Sequence, residues 1–232
     1  MNTTTATARD AILARIKASL RDVPAAETPA DVPVPRDYRT SDPSPRGALV
    51  AQFVERVGEY KAAVRRVAPA DLPRAIADAC RARGVTRLVV PADLPDGWAP
   101  AGVTLLRDPG LTVDQLETSE GVLTGCALGV AQTGTIVLDS GPGQGRRILT
   151  LLPDYHLCVV RDDQVVGLVP EAVARLRSAA SGPGRPITFI SGPSATSDIE
   201  LNRVEGVHGP RTLDVLVVET GANAGGSNSG TD

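Results

Sequence analysis

Three segments of this 232-residue chain combine glycine, hydroxyl and charged residues at spacings that suit the binding of a small anion. The first is Gly129-Val-Ala-Gln132-Thr133-Gly134-Thr135. Gly134 allows a left-handed or closely packed backbone, and the flanking hydroxyls and amides can hold an anion or a carbonyl. The competing reading is a tight turn between strands, with threonine present for its β-propensity. The second is Gly141-Pro-Gly143-Gln-Gly145-Arg146-Arg147, which matches neither the dinucleotide-binding glycine pattern nor a phosphate loop ending in Lys-Ser/Thr. Its guanidiniums can close on a carboxylate or phosphate, with Arg146 as the candidate, or the loop can simply be solvated. The third runs Ser191-Gly192-Pro193-Ser194-Ala-Thr196-Ser197-Asp198-Ile199-Glu200 and continues to Gly206-Val-His208-Gly209-Pro210-Arg211. Ser197 and Glu200 have capping-box spacing, and the amides of such a cap would themselves favour an anion. His208 has no visible second ligand or nucleophile, so no metal site or triad is assigned. The candidate ligand-binding residues are Gln132, Thr133, Gly134, Thr135, Arg146, Ser191, Gly192, Ser194, Thr196, Ser197, Asp198, Glu200 and His208.

The surrounding pattern supplies elements to position them. Ile12, Leu13, Ile16 and Leu20 mark an amphipathic amino-terminal helix within 1–21, with Thr7 and Asp10 spaced to cap it. Prolines at 24, 29, 33, 35, 43 and 45 make 22–46 an extended linker. Leu49, Phe53, Val57, Tyr60, Val64 and Val67 then step at helical spacing, and a further helix around Ile76 and Cys80 closes at Gly84. Beyond it, short apolar runs at 87–91, 103–106, 136–138, 156–160, 187–190 and 213–218 alternate with helical stretches at 113–119 and 170–180. That alternation predicts an α/β domain with a mostly parallel sheet over 47–219, where ligands usually bind beyond the carboxyl ends of strands. Residues 220–232 are low-complexity and read as a disordered tail.

Composition narrows the function. The net charge of −3 does not suit nucleic-acid binding, and no apolar run is long and clean enough to span a membrane. Three scattered cysteines without a CxxC argue against a disulfide framework, and the amino terminus does not read as a signal peptide, so a cytoplasmic protein is expected.

The segments Ala131–Thr135, Leu152-Pro153 followed by His156 and Val159-Val160, Ser191–Glu200 and Gly206–Arg211 together resemble the LUD-domain family, of the lactate-utilisation protein C type. The resemblance covers about residues 46 to 218. It implies a Rossmann-like sheet of the kind found in sugar-phosphate isomerases, CoA transferases and formyltetrahydrofolate cyclo-ligases. It also implies a part in oxidising L-lactate to pyruvate alongside iron–sulfur partner proteins. Three cysteines cannot supply a four-cysteine cluster, so this chain is expected to be the cluster-free component, binding no cofactor itself. Gln132 stands where the family often has an acidic residue, which removes acid–base chemistry from that position. The alternative is a free-standing enzyme of the CoA-transferase or cyclo-ligase fold acting on a small carboxylate or phosphate. Its weakness is that the two lysines, Lys17 and Lys61, lie far from the glycine-bearing loops.

Overall fold

Thr7 and Asp10 exchange hydrogen bonds at the start of helix α1 (Ala8–Ser19), the reciprocal cap that their spacing predicts. In this computed structural model, residues 7–24, 26–28, 30–181, 184–193, 195–197, 203–205 and 209–220 are described. They divide into two units, Met1–Tyr38, which contains α1, and Arg39–Asp232.

The second unit runs α2 (Arg46–Glu59), β1 (Ala63–Val67), α3 (Leu72–Arg83), β2 (Arg87–Val90), β3 (Thr104–Arg107), α4 (Val113–Glu117), β4 (Val122–Thr124), β5 (Leu128–Val130), β6 (Thr135–Leu138), β7 (Tyr155–Arg161), β8 (Val165–Val166), α5 (Val169–Ser181), β9 (Thr188–Ile190), β10 (Ala195–Ser197), β11 (Arg203–Glu205) and β12 (Thr212–Val218). The main sheet has six strands in the order β1-β12-β7-β4-β2-β3, all parallel. A smaller sheet, β8-β5-β6-β9, is antiparallel apart from its β5–β8 pair, and β10 pairs with β11 in a separate antiparallel ribbon. The fold is therefore α/β with a mostly parallel central sheet.

One element departs from its periodicity. The helical spacing that begins at Leu49 continues to Val67, but α2 ends at Glu59 and Lys61 takes φ 64°, turning the chain. Ala63–Val67 then aligns residue for residue with β12 from Asp214 to Val218. Two valines suit a strand as well as a helix, and the open edge of β12 decides between them.

Strand alternation gives the main sheet two different faces. Val89, Val122, His156, Cys158, Val160, Val215 and Val217 lie on one. Four of them, Cys158, Val160, Val215 and Val217, pack with α2 and with Ile136 and Leu138 of the smaller sheet. Leu88, Leu157, Val159 and Leu216 lie on the other, against Ile76 and Cys80 of α3. Among the described residues no helix is long and apolar enough to cross a membrane.

Glu120 ties the amino ends of β2 and β4 together. Its carboxylate accepts from the Thr86 amide at 2.6 Å, the Arg87 amide at 3.0 Å and Arg87 Nε at 3.2 Å. These bonds, led by the one from the Thr86 amide, hold its carboxyl at about 2, below the usual 4.5. A carboxylate depressed in the folded state contributes stability above its unfolded value, and that contribution is lost as pH falls towards the folded value. Glu120→Gln is thus expected to melt at a lower temperature than the parent at neutral pH, with the gap closing between about pH 4.5 and pH 2. Parallel melting curves across that range check this; a gap independent of pH contradicts it.

Candidate functional site

His156 is the second residue of β7, fully buried, on the face that looks towards the smaller sheet. The register sets His156 opposite Val122, which leaves Thr124 diagonal to it on the same face. The Thr124 hydroxyl and His156 Nε2 hydrogen-bond at 2.8 Å. His156 Nδ1 has no hydrogen-bond partner among the described residues. An unpartnered polar atom at this depth is uncommon and points to a missing partner.

A cavity of about 220 Å³ lies beside it, where the amino ends of β7 and β12 meet β9. Arg147, Thr150, His156, Ser191, Gly192 and Gly209 supply its polar lining, and Phe189, Ile190 and Leu213 an apolar wall. Arg147 opens the single 3-10 turn Arg147–Thr150 that leads into β7, and its guanidinium donates to Thr150 Oγ1 at 3.2 Å. Among the described residues it meets no carboxylate, and burial pulls its proton affinity below that of an ordinary arginine. A partly desolvated guanidinium without a counter-ion is a strong carboxylate receptor.

Ser191 leaves β9 at the rim of the cavity. Its hydroxyl hydrogen-bonds with Thr135 Oγ1 at 2.8 Å, and Thr135 with Thr133 Oγ1 at 2.7 Å, so two of the three sequence segments meet in one chain of hydroxyls. Gly192 takes φ 82°, and a Cβ there would sit 2.5 Å from Tyr60 Cβ, so only glycine lets this turn approach α2's end. Gly134 is not part of the cavity lining. Its φ is 58°, and a Cβ would fall 2.7 Å from the Arg56 carbonyl carbon, so it seats the turn on α2.

Other candidates are placed elsewhere. Gln132 is exposed, and its backbone N–H donates to the Gly167 carbonyl. Arg146 is held by Asp108 in a two-point ion pair, at 2.8 and 2.7 Å, so its neighbour Arg147 is the guanidinium that faces the cavity. Thr196 and Ser197 belong to β10, where Ser197 pairs with Arg203 in a ribbon. Ser194, Asp198, Glu200 and His208 lie outside the described residues.

The site also sits at the opposite end of the strands from the expected one. Beyond the carboxyl ends of β2 and β4, the glycine loop binds itself and its neighbours. Gly143 donates to Asp93 at 2.9 Å and Gly125 donates to the Gly143 carbonyl at 2.8 Å. Asp139 accepts from the Gly141 amide, Gln144 Nε2 and Arg185. These amides and the Arg185 Nη2 group are thus spent on the loop's own structure.

Sequence reasoning missed Arg147, Thr150 and His156 as a group. A histidine inside the apolar run His156–Val160 was the available signal, since such a run buries an imidazole that must then find partners.

The relatives decide the family. A protein of Deinococcus radiodurans described as lactate utilization protein C is 49% identical over 182 residues, spanning 78% of this chain and 84% of that protein. The chain belongs to the lactate-utilisation protein C family. The LUD domain family model matches residues 110–218, a span that contains the whole cavity lining. A lactate utilization protein C of Halalkalibacterium halodurans is 40% identical over 110 residues, 46% of this chain and 47% of that one. The crystal structure of a DUF162 family protein from Deinococcus radiodurans superposes with a TM-score of 0.67 at 43% identity, covering 76% of this chain and 99% of that one. Within this lactate-utilisation protein C member, a guanidinium, two hydroxyls and an imidazole surround a small space with an apolar wall, an arrangement able to grip a carboxylate and a second oxygen beside it.

Proposed function

We propose that this protein is the cluster-free, cytoplasmic component of a system oxidising L-lactate to pyruvate with iron–sulfur partner proteins, and that it binds the small 2-hydroxy or 2-oxo carboxylate. The observation that carries the reading is Arg147, without a carboxylate partner among the described residues, sharing one cavity with His156 and its unpartnered Nδ1. The names of the relatives give the reading its pathway.

Each part of such an acid has a complement. Arg147, helped by the Thr150 and Ser191 hydroxyls, takes the carboxylate; His156 hydrogen-bonds the oxygen on C2; Leu213, Phe189 and Ile190 cover the methyl group. The oxidation removes two electrons and two protons, and the proposal assigns the electrons to the iron–sulfur partners. A cavity of about 220 Å³ falls below the roughly 300–1,000 Å³ of drug-sized sites. That size disfavours the alternative of a ligase or transferase holding a nucleotide or CoA.

Deleting the gene from its host is expected to abolish growth on L-lactate while leaving growth on pyruvate unchanged. A deletion strain that grows equally on both sinks the assignment.

A further inference from the structure

The carboxylate reading leaves unused a second group of reactive side chains behind His156. His156 and Cys158 project from the same face of β7, and the register sets Thr124 directly opposite Cys158. Cys126, two residues beyond the end of β4, packs in the same buried cluster as Cys158. The thiols are 3% and 0% exposed and far apart in sequence, and Cys158 reaches the backbone of Gly125, the residue next to Cys126. Both have polar surroundings: Cys158 Sγ lies 3.8 Å from the Gly125 carbonyl, and Cys126 Sγ lies 3.7 Å from Gln164 Oε1.

A buried cysteine is ordinarily a small apolar residue. This pair differs in having a second thiol and an imidazole at hand. The neighbouring Cys126 thiol, and after it His156, bring the Cys158 thiol below the ordinary thiol range, while Cys126 is pushed up by the proximity of Cys158 and by burial. Cys80 is the contrast within the same molecule. It sits in α3, packed on the opposite face of the sheet, and burial pushes it up to about 11.

We propose that Cys126 and Cys158 form a redox-active dithiol, which a small oxidant of the peroxide class converts to a disulfide linking β7 to the end of β4 beside His156. The Cys158 thiolate attacks one peroxide oxygen, breaking the O–O bond and giving a sulfenic acid and, after proton uptake, water. Cys126 sulfur then attacks the sulfenic sulfur; the S–O bond breaks and its oxygen leaves as a second water. Overall, two thiols lose two electrons and two protons and peroxide is reduced to two waters. The oxidant approaches through the cavity, of which His156 is a wall. The inference stands independently of carboxylate binding.

The test uses the full chain, treated with hydrogen peroxide and separately with diamide, then unfolded in a thiol-labelling reagent. The three titratable thiols are expected to fall to one, peptide mapping to link Cys126 to Cys158 with Cys80 labelled, and dithiothreitol to restore all three. Cys126→Ser, which keeps a hydrogen-bonding group beside Cys158, is expected to leave Cys158 as a sulfenic acid trapped by dimedone, without a disulfide. Three thiols surviving treatment, loss of Cys80 before the pair, or a Cys158 sulfinic acid in the parent chain without any link each overturn the proposal.

Discussion

Asp214→Ala is expected to lower the melting temperature by about 5–15 °C. Asp214 sits inside β12 and is 7% exposed, on the face of the sheet away from the cavity. Arg83, at the end of α3, reaches it with two hydrogen bonds of 3.0 and 2.6 Å, and the Tyr155 hydroxyl donates a third at 3.0 Å. The Arg83 guanidinium also lies over the Tyr155 ring, 5.3 Å from its centre. Alanine strands a charge and a buried phenol together. Breaking a buried pair costs about 3–5 kcal/mol, and an Arg83 side chain still 36% exposed recovers part of that in water, leaving roughly 2–4 kcal/mol. For a chain of this length that corresponds to the stated shift. Calorimetric melting of the two proteins checks it; a change under about 2 °C shows that water replaces the aspartate without loss.

Much of the fold was legible because its signals are local. The runs 156–160 and 213–218 are nearly continuous in apolar residues, the mark of strands buried on both faces, and β7 and β12 are there. Gly84 ends α3 at φ 68°, as its position implies. The misses are the elements whose form depends on a distant partner. β1 carries a helical period and is made a strand by β12. β4, β5 and β8 have three, three and two residues, too few for periodicity to register.

The site was half legible for the same reason. Ser191 and Gly192 announce themselves by type, and the structure brings them to the cavity. The choice between Arg146 and Arg147 could not be read from adjacent positions, because it turns on Asp108, which lies 38 residues away in sequence from Arg146. The meeting of Thr124, Cys126, His156 and Cys158 depends on the β4–β7 register, which no local pattern specifies.

The largest functional effect is expected at Arg147. A charge-assisted hydrogen bond in a partly buried site is worth about 1.5–3 kcal/mol, so Arg147→Gln should weaken carboxylate binding about 10- to 150-fold. Its guanidinium is bonded only to Thr150 among the described residues, so the fold should stay intact. Arg146→Gln loses the Asp108 pair and is expected to cost stability while binding stays near parental. The decisive measurement is calorimetric titration of pyruvate and of L-lactate into the parent, Arg147→Gln and Arg146→Gln, each with its melting temperature recorded. The account predicts saturable binding to the parent, a loss of at least about tenfold in Arg147→Gln at an unchanged melting temperature, and near-parental affinity in Arg146→Gln. Undiminished binding in Arg147→Gln, or binding lost in Arg146→Gln instead, would place the ligand elsewhere and contradict it.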